Sequence, residues 1–171
     1  VCRAVKKICG IGLRIKWVND LYLHNKKVCG ILTEAATDFE SGNIEFAVVG
    51  IGLNLYTPEE GFPEDIQDTA GALFGSRKEA ENINCSLLVA EIVNELLMEV
   101  ETPGLSREYT ENNIIPGNMI VITDGEQTRE AYAKAIAPDG RLLVREQDGS
   151  ETLLSYGEVS IRRKPEEERS N

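Results

Sequence analysis

Arg14-Ile15-Lys16-Trp17-Val18-Asn19-Asp20-Leu21-Tyr22-Leu23 sets the only tryptophan of the chain, a lysine, an amide and a carboxylate inside an otherwise apolar run. Residues 13–17 and 21–23 have the composition of strands. A strand interior seldom accepts so many polar groups unless something binds there. Lys27 follows Asp20 by seven positions, and then comes Gly30. A second apolar run ends in Val48-Val49-Gly50-Ile51-Gly52-Leu53-Asn54-Leu55. His24-Asn25-Lys26 reads as a tight turn, so residues 28–35 return as the partner strand of a hairpin. A second turn over 38–43 leads to a third strand over 44–49.

Upstream, Val1, Ala4, Val5 and Ile8 follow helical spacing, and Gly10 and Gly12 end that segment. Downstream, residues 57–69 read as loop and 70–74 as a short helix before Gly75. Over 83–100 a stripe of Leu87, Leu88, Ile92, Val93, Leu96, Leu97 and Val100 predicts a helix, with Asn84 or Ser86 as its cap. One more short helix is expected over 105–112. After Pro116-Gly117 the period changes to two, over 119–123, 129–137, 141–146, 152–155 and 159–162. Asp124-Gly125, Asp139-Gly140 and Asp148-Gly149 punctuate these runs as turns. Short strands joined by tight turns predict a small SH3-like barrel over 115–164. The charged residues 165–171 read as a disordered tail.

Length and composition fit an ordinary soluble domain with a small satellite: 171 residues, 42% hydrophobic and 27% charged. No apolar run approaches the ~20 residues needed to cross a membrane, and no secretory signal is visible. The chain begins at Val1, inside a helical pattern, and reads as part of a longer protein. A net charge of −11 argues against nonspecific nucleic-acid binding. That charge is uneven, because residues 1–33 carry seven basic groups and one acid, Asp20. The basic segment could be an anion site, whereas Arg3, Lys6 and Lys7 read as a solvated helix face. Four cysteines without C-x-x-C spacing predict reduced thiols in a cytoplasmic protein, with neither a metal site nor a disulfide framework. His24, the lone histidine, excludes a histidine-based triad within the chain.

Gly50-Ile51-Gly52-Leu53-Asn54 lacks the third glycine and the immediate helix of a dinucleotide fingerprint. Two readings stay open there. Glycines let a ligand lie against the strand backbone, with Asn54 pairing to an amide or base edge, or they mark a bulge at a sheet edge. Lys27 is either a solvated turn lysine or an ammonium held near a reacting carboxylate or phosphate. Asp20 could bind metal, accept a proton, orient a nucleophile, cap a turn or pair with Lys16.

Together the motifs resemble biotin protein ligase, an enzyme family that activates biotin with ATP and attaches it to a carrier-protein lysine. The family pattern K-W-P-N-D, K-x-x-G, G-x-G-x-N is matched by Lys16-Trp17-Val18-Asn19-Asp20, Lys27-Val28-Cys29-Gly30 and Gly50-Ile51-Gly52-Leu53-Asn54. Gly157-Glu158-Val159-Ser160-Ile161-Arg162 is similar to the family's C-terminal ending. Val18 stands where the family has proline, a change of local stiffness more than of chemistry.

The resemblance implies an α+β fold. A mixed sheet with helices, an incomplete core like that of class II aminoacyl-tRNA and biotin synthetases, would occupy 1–114 and precede the SH3-like barrel. It implies that Lys27 contacts the biotin carboxylate and the activated phosphate. Gly30, Leu32, Gly50 and Gly52 would line the biotin ring system. Asn19, Asn54, Lys16, Trp17 and Arg162 would lie on the nucleotide side, and Asp20 would position or deprotonate the acceptor lysine. Biotin, ATP and Mg²⁺ are the implied ligands, and the carrier domain of a carboxylase is the implied partner. A homodimer is a further expectation, and DNA binding would require an upstream helix-turn-helix. The family's glycine- and arginine-rich biotin loop has no counterpart here, so the chain alone is expected to be inactive or nearly so. Two other readings remain: a lipoate-type acyl-carrier ligase, and a non-catalytic dimerising module.

Overall fold

Gly10, at φ 73°, closes α1 (Cys2–Cys9) in the left-handed conformation that a residue without Cβ enters at least cost. The computed structural model describes residues 1–38, 42–155 and 160–163, with side chains through residue 155. The chain folds as two compact units, 1–102 and 103–171. The expected boundary after residue 114 lies within the second of these units.

In the first unit α1 leads to β1 (Arg14–Lys16), β2 (Asp20–Leu23), β3 (Lys26–Thr37) and β4 (Ile44–Leu53). They form one sheet in the order β1-β2-β3-β4, and every neighbouring pair is antiparallel. The expected mixed sheet is therefore not formed among the described residues. Among the described residues, parallel pairing occurs only as single bridges between Lys27 and Ala70 and between Tyr56 and Phe74. The second bridge also replaces the short helix expected over 70–74. His24 and Asn25, at φ 48° and 65°, make the two-residue turn between β2 and β3. Residues 17–19 turn the chain from β1 into β2, so Trp17, Val18 and Asn19 lie on a turn rather than within a strand. The Trp17–Val18 peptide is cis.

Further on, α2 (Cys85–Glu101) is capped by Asn84, whose side chain accepts from the backbone N–H of Leu87. Ala4 and Val5 of α1, both fully buried, and Leu88 and Ile92 of α2 belong to the apolar core of this unit. Arg3 binds Glu95 and Glu99, and Lys7 Nζ lies 2.7 Å from Glu91. Arg3 and Lys7 thus tie the two helices together, while the lysine side chain stays 64% exposed, as expected of a solvated face. Glu91 is 9% exposed, which its bond to Lys7 makes tolerable.

In the second unit α3 (Arg107–Glu111), capped by Ser106, precedes β5 (Met119–Asp124), β6 (Gln127–Ile136), β7 (Leu142–Arg145), β8 (Glu151–Leu154) and β9 (Ser160–Arg163). The sheet order is β8-β7-β6-β5-β9, antiparallel throughout. No pairing of β8 with β9 closes it among the described residues. Ile120, Ile122, Ala131, Ala133, Leu142 and Val144 alternate inward and are at most 1% exposed. Pro116-Gly117 belongs to this unit: Gly117 N–H donates to the carbonyl of Ala133, and Asn118 caps the carbonyls of Ile114, Ile115 and Pro116. Gly157, Glu158, Val159 and the tail 165–171 lie outside the described residues.

Candidate functional site

A bulge brings Lys27 to the face where it can act. Leu21 opposes Cys29 while Tyr22 opposes Lys27, so Val28 is an extra residue in β3. In a regular strand, side chains three positions apart point to opposite faces. The extra residue turns Lys27 onto the face of Gly30, and it leaves Val28 and Cys29 consecutively buried, at 1% and 2% exposure. Across the sheet Asp20 opposes Gly30 and Gly30 opposes Gly52, with Leu32 opposite Gly50 one step along.

Lys27 Nζ lies 2.6 Å from Asp20 Oδ1, with the lysine side chain 44% and the aspartate side chain 22% exposed. The pair lies over Gly30. A Cβ there would stand 3.2 Å from Lys27 Cε, 3.3 Å from Lys27 Nζ and 3.6 Å from Asp20 Oδ1. The glycine of the K-x-x-G step therefore makes room for the ion pair. Two clefts meet at this point. One, of about 460 Å³, is lined by Asn19, Asp20, Ile31, Leu32, Gly50 and Ile51. The other, of about 270 Å³, is lined by Cys29, Asn54, Ile66, Thr69 and Ala70. Lys27, Gly30 and Gly52 line both.

Segment 66–71 builds the far wall of the smaller cleft. Lys27 N–H donates to Thr69 O at 2.7 Å, and Gly71 N–H donates to Lys27 O at 2.8 Å. Lys26 Nζ reaches Gln67 O at 3.0 Å, and Asn54 Nδ2 reaches Gly71 O at 2.8 Å. Gly71 is required by close approach, since a Cβ would stand 2.7 Å from Lys26 Cβ. None of Ile66, Thr69, Ala70 or Gly71 was singled out from sequence. The adjacent small residues Ala70 and Gly71 were the one local sign of a tight fit.

The other expected residues are placed as follows. Asn19 accepts at its carbonyl from Ile31 N–H at 3.0 Å, and its side-chain amide donates to Ile31 O. It fixes the turn over β3 and lines the larger cleft. Trp17 is buried at 6% exposure, and Lys16 sits 5.7 Å from the ring centroid of Tyr22. Neither lines these two clefts. Arg162 opposes Val121 in the second unit, where the structure describes its backbone alone. Cys29 is the one thiol on the clefts. Burial pushes its pKa up to about 11, so it is a thiol rather than a nucleophilic thiolate at neutral pH.

Two family models match the chain in order: the biotin/lipoate A/B protein ligase family over residues 1–54 and the biotin protein ligase C-terminal domain over residues 117–162. The bifunctional ligase/repressor BirA of Bacillus subtilis is 31% identical over 167 residues, covering 91% of this chain and 48% of that protein. The biotin–[acetyl-CoA-carboxylase] ligase of Mycobacterium tuberculosis is 28% identical over 155 residues, covering 85% of this chain and 52% of that protein. The chain thus spans about half the length of the curated relatives it matches. Biotin protein ligase from Aquifex aeolicus, solved in complex with biotin and ATP, shares the fold at a TM-score of 0.70. It is 22% identical, and the match covers 95% of this chain and 67% of that one. Two family models in sequence order, with the matching motifs gathered at one ion pair on a glycine floor, carry the assignment: the chain belongs to the biotin protein ligase family.

Proposed function

We propose that the protein activates biotin with ATP to biotinyl-AMP and transfers the biotinyl group to a lysine of a biotin carboxyl carrier domain. The observation that carries this reading is the Lys27–Asp20 pair, 2.6 Å apart over Gly30 where the two clefts meet. Activation requires a carboxylate to attack a phosphate that is already negative. An ammonium at the junction of the clefts neutralises that encounter, and it does so most where charge accumulates, in the transition state. Gly30, Gly50 and Gly52 leave the strand backbones uncovered, so a flat ring system can lie on them with Leu32 at its side. Asp20 is the carboxylate beside that point, suited to accept a proton from an incoming amine. The nucleotide-side roles of Asn19, Asn54, Lys16, Trp17 and Arg162 rest on the resemblance. Asn54 lines the smaller cleft, which supports its share of that role.

The described residues offer Mg²⁺ no cage of their own. No group of three or more histidine, cysteine or acidic side chains comes together among them, and Asp20 is taken by Lys27. We assign charge neutralisation on this wall to Lys27. The open five-stranded sheet of the second unit is read as an SH3-like barrel, on its short strands, tight turns and inward alternation. The carrier-domain partner, a homodimer and a cytoplasmic setting belong to the same reading. No helix among the described residues is long and apolar enough to cross a membrane.

Calorimetric titration of the chain with biotinyl-5′-adenylate and with lipoyl-5′-adenylate tests the proposal. Preferential binding of the biotinyl compound is expected. Lys27→Ala should weaken it by at least ~10-fold, as loss of a hydrogen bond to a charged group does. Equal binding of the two would favour a lipoate-type ligase, and binding of neither would refute the reading.

A further inference from the structure

We infer that the Lys27–Asp20 pair is an exchange device: an anion seated on the Gly30–Gly52 floor takes the ammonium from Asp20 and leaves that carboxylate unpaired. The inference deepens the proposed function and rests on it for its place in the reaction. Its geometric basis is independent. Lys27 Cε, Lys27 Nζ and Asp20 Oδ1 all lie within 3.6 Å of the point a Gly30 Cβ would occupy. Both clefts are lined by Lys27, Gly30 and Gly52, so the pair stands on the lining they share. A ligand continuous across both clefts must occupy the space the pair now spans.

A small anion there meets the same conflict. To reach the ammonium across the glycine floor it must come as close to Asp20 Oδ1, and like charges at that separation repel. The 2.6 Å contact cannot persist beside it. The lysine stem is the part free to move, being unbranched and 44% exposed, whereas Asp20 sits opposite Gly30 inside the sheet ladder.

For the reaction this sets an order. While the site lacks its acyl-adenylate, Asp20 Oδ1 is occupied by the Lys27 ammonium at 2.6 Å. Once the adenylate phosphate holds Lys27, Asp20 can take one proton from the acceptor ammonium. The amine nitrogen then attacks the acyl carbon: the N–C bond forms, and the C–O bond to phosphate breaks. AMP leaves with that electron pair, and the second nitrogen proton passes to solvent. Transfer is thereby confined to the state in which there is something to transfer.

The test uses the chain and inorganic pyrophosphate at constant ionic strength, followed by NMR at the Gly30 amide and the Asp20 side-chain carboxyl carbon. Both signals should titrate with one midpoint, and the Asp20 signal should end at its position in unliganded Lys27→Met, where the carboxylate has no lysine. Lys27→Gln supplies that reference if Lys27→Met does not fold. Asp20→Asn should bind pyrophosphate about fivefold more tightly, because no pair must first be broken. Saturation at Gly30 with Asp20 unmoved would mean that the ammonium holds both anions at once, and would overturn the exchange. A titration that moves neither signal would overturn it as well. Binding of biotinyl-5′-adenylate with no release of Asp20 by pyrophosphate would sink the exchange and spare the ligase reading. Release of Asp20 without adenylate binding would do the reverse.

Discussion

Alanine at Gly30 and alanine at Gly71 are expected to fail in different ways. At Gly30 the added Cβ meets the far end of Lys27, at 3.2 and 3.3 Å, and a flexible stem can swing aside. Gly30→Ala should leave stability within ~1 kcal/mol while blocking the floor on which a ligand would lie. At Gly71 the Cβ meets Lys26 Cβ at 2.7 Å, an atom fixed to the backbone. Segment 66–71 must then draw away from β3, at a cost of about 1–3 kcal/mol. Urea unfolding followed by the fluorescence of Trp17 measures both, and equal losses would sink the distinction. Asp20, Lys27, Gly30, Gly50 and Gly52 were named through the resemblance to the biotin protein ligase pattern, their own chemistry leaving other readings open, and the structure brings them together. The bulge at Val28 was not legible, although it is what puts Lys27 and Gly30 on one face. Nor was the wall at Thr69 to Gly71, whose partners lie as far off as the 41 positions between Lys26 and Gln67. No local periodicity records a pairing at that range.

Periodicity read the elements well where one face is buried and poorly where the partner is remote. Period two over 119–123, 129–137 and 141–146 marked the strands β5, β6 and β7, in which Ile120, Ile122, Ala131, Ala133, Leu142 and Val144 are buried. The helix α2 and a cap at Asn84 or Ser86 were also visible as local signals, with Asn84 the one that caps it, although only Leu88 and Ile92 of its stripe are buried. The acidic partners of the basic residues of α1 were missed for the opposite reason. Lys7 meets Glu91 and Arg3 meets Glu95, each more than 80 positions along the chain. Glu91, 9% exposed, depends on that lysine for its hydrogen bond. Lys7→Met should cost about 1 kcal/mol, more than an exposed ion pair is worth, because it leaves a largely buried carboxylate without its cation. Lys6→Met, on an exposed neighbour, should be near neutral. Chemical denaturation of the two variants decides the matter, and an equal, small effect would show that the Lys7–Glu91 pair is worth no more than an exposed one.

At the scale of the whole molecule, each unit carries an acidic proton that responds to alkali in its own range, on a buried thiol in the first and a half-buried phenol in the second. In the first unit burial raises the Cys29 thiol from its ordinary 9.0 to about 11. In the second, burial raises the Tyr109 phenol from 10.0 to about 12. Both groups hold their protons longer folded than unfolded, so stability falls with rising pH between the two values. The contribution of Cys29 is complete below about pH 9 and lost as the pH rises through about 11. The Tyr109 contribution is complete below about pH 10 and lost towards 12. Each loss is on the order of 2 kcal/mol, which is a large share of the stability of a small domain. The first unit is therefore expected to weaken at a lower pH than the second. Trp17 fluorescence reports the first unit, and the methyl resonances of the buried Ile122 report the second. Urea midpoints measured with both probes across alkaline pH should separate, with the Trp17 midpoint falling first. Cys29→Ala should abolish the early fall in the first unit and leave the second unchanged, whereas Tyr109→Phe should do the converse. Coincident midpoints that neither variant moves would show that these two protons do not set the alkaline limit of either unit.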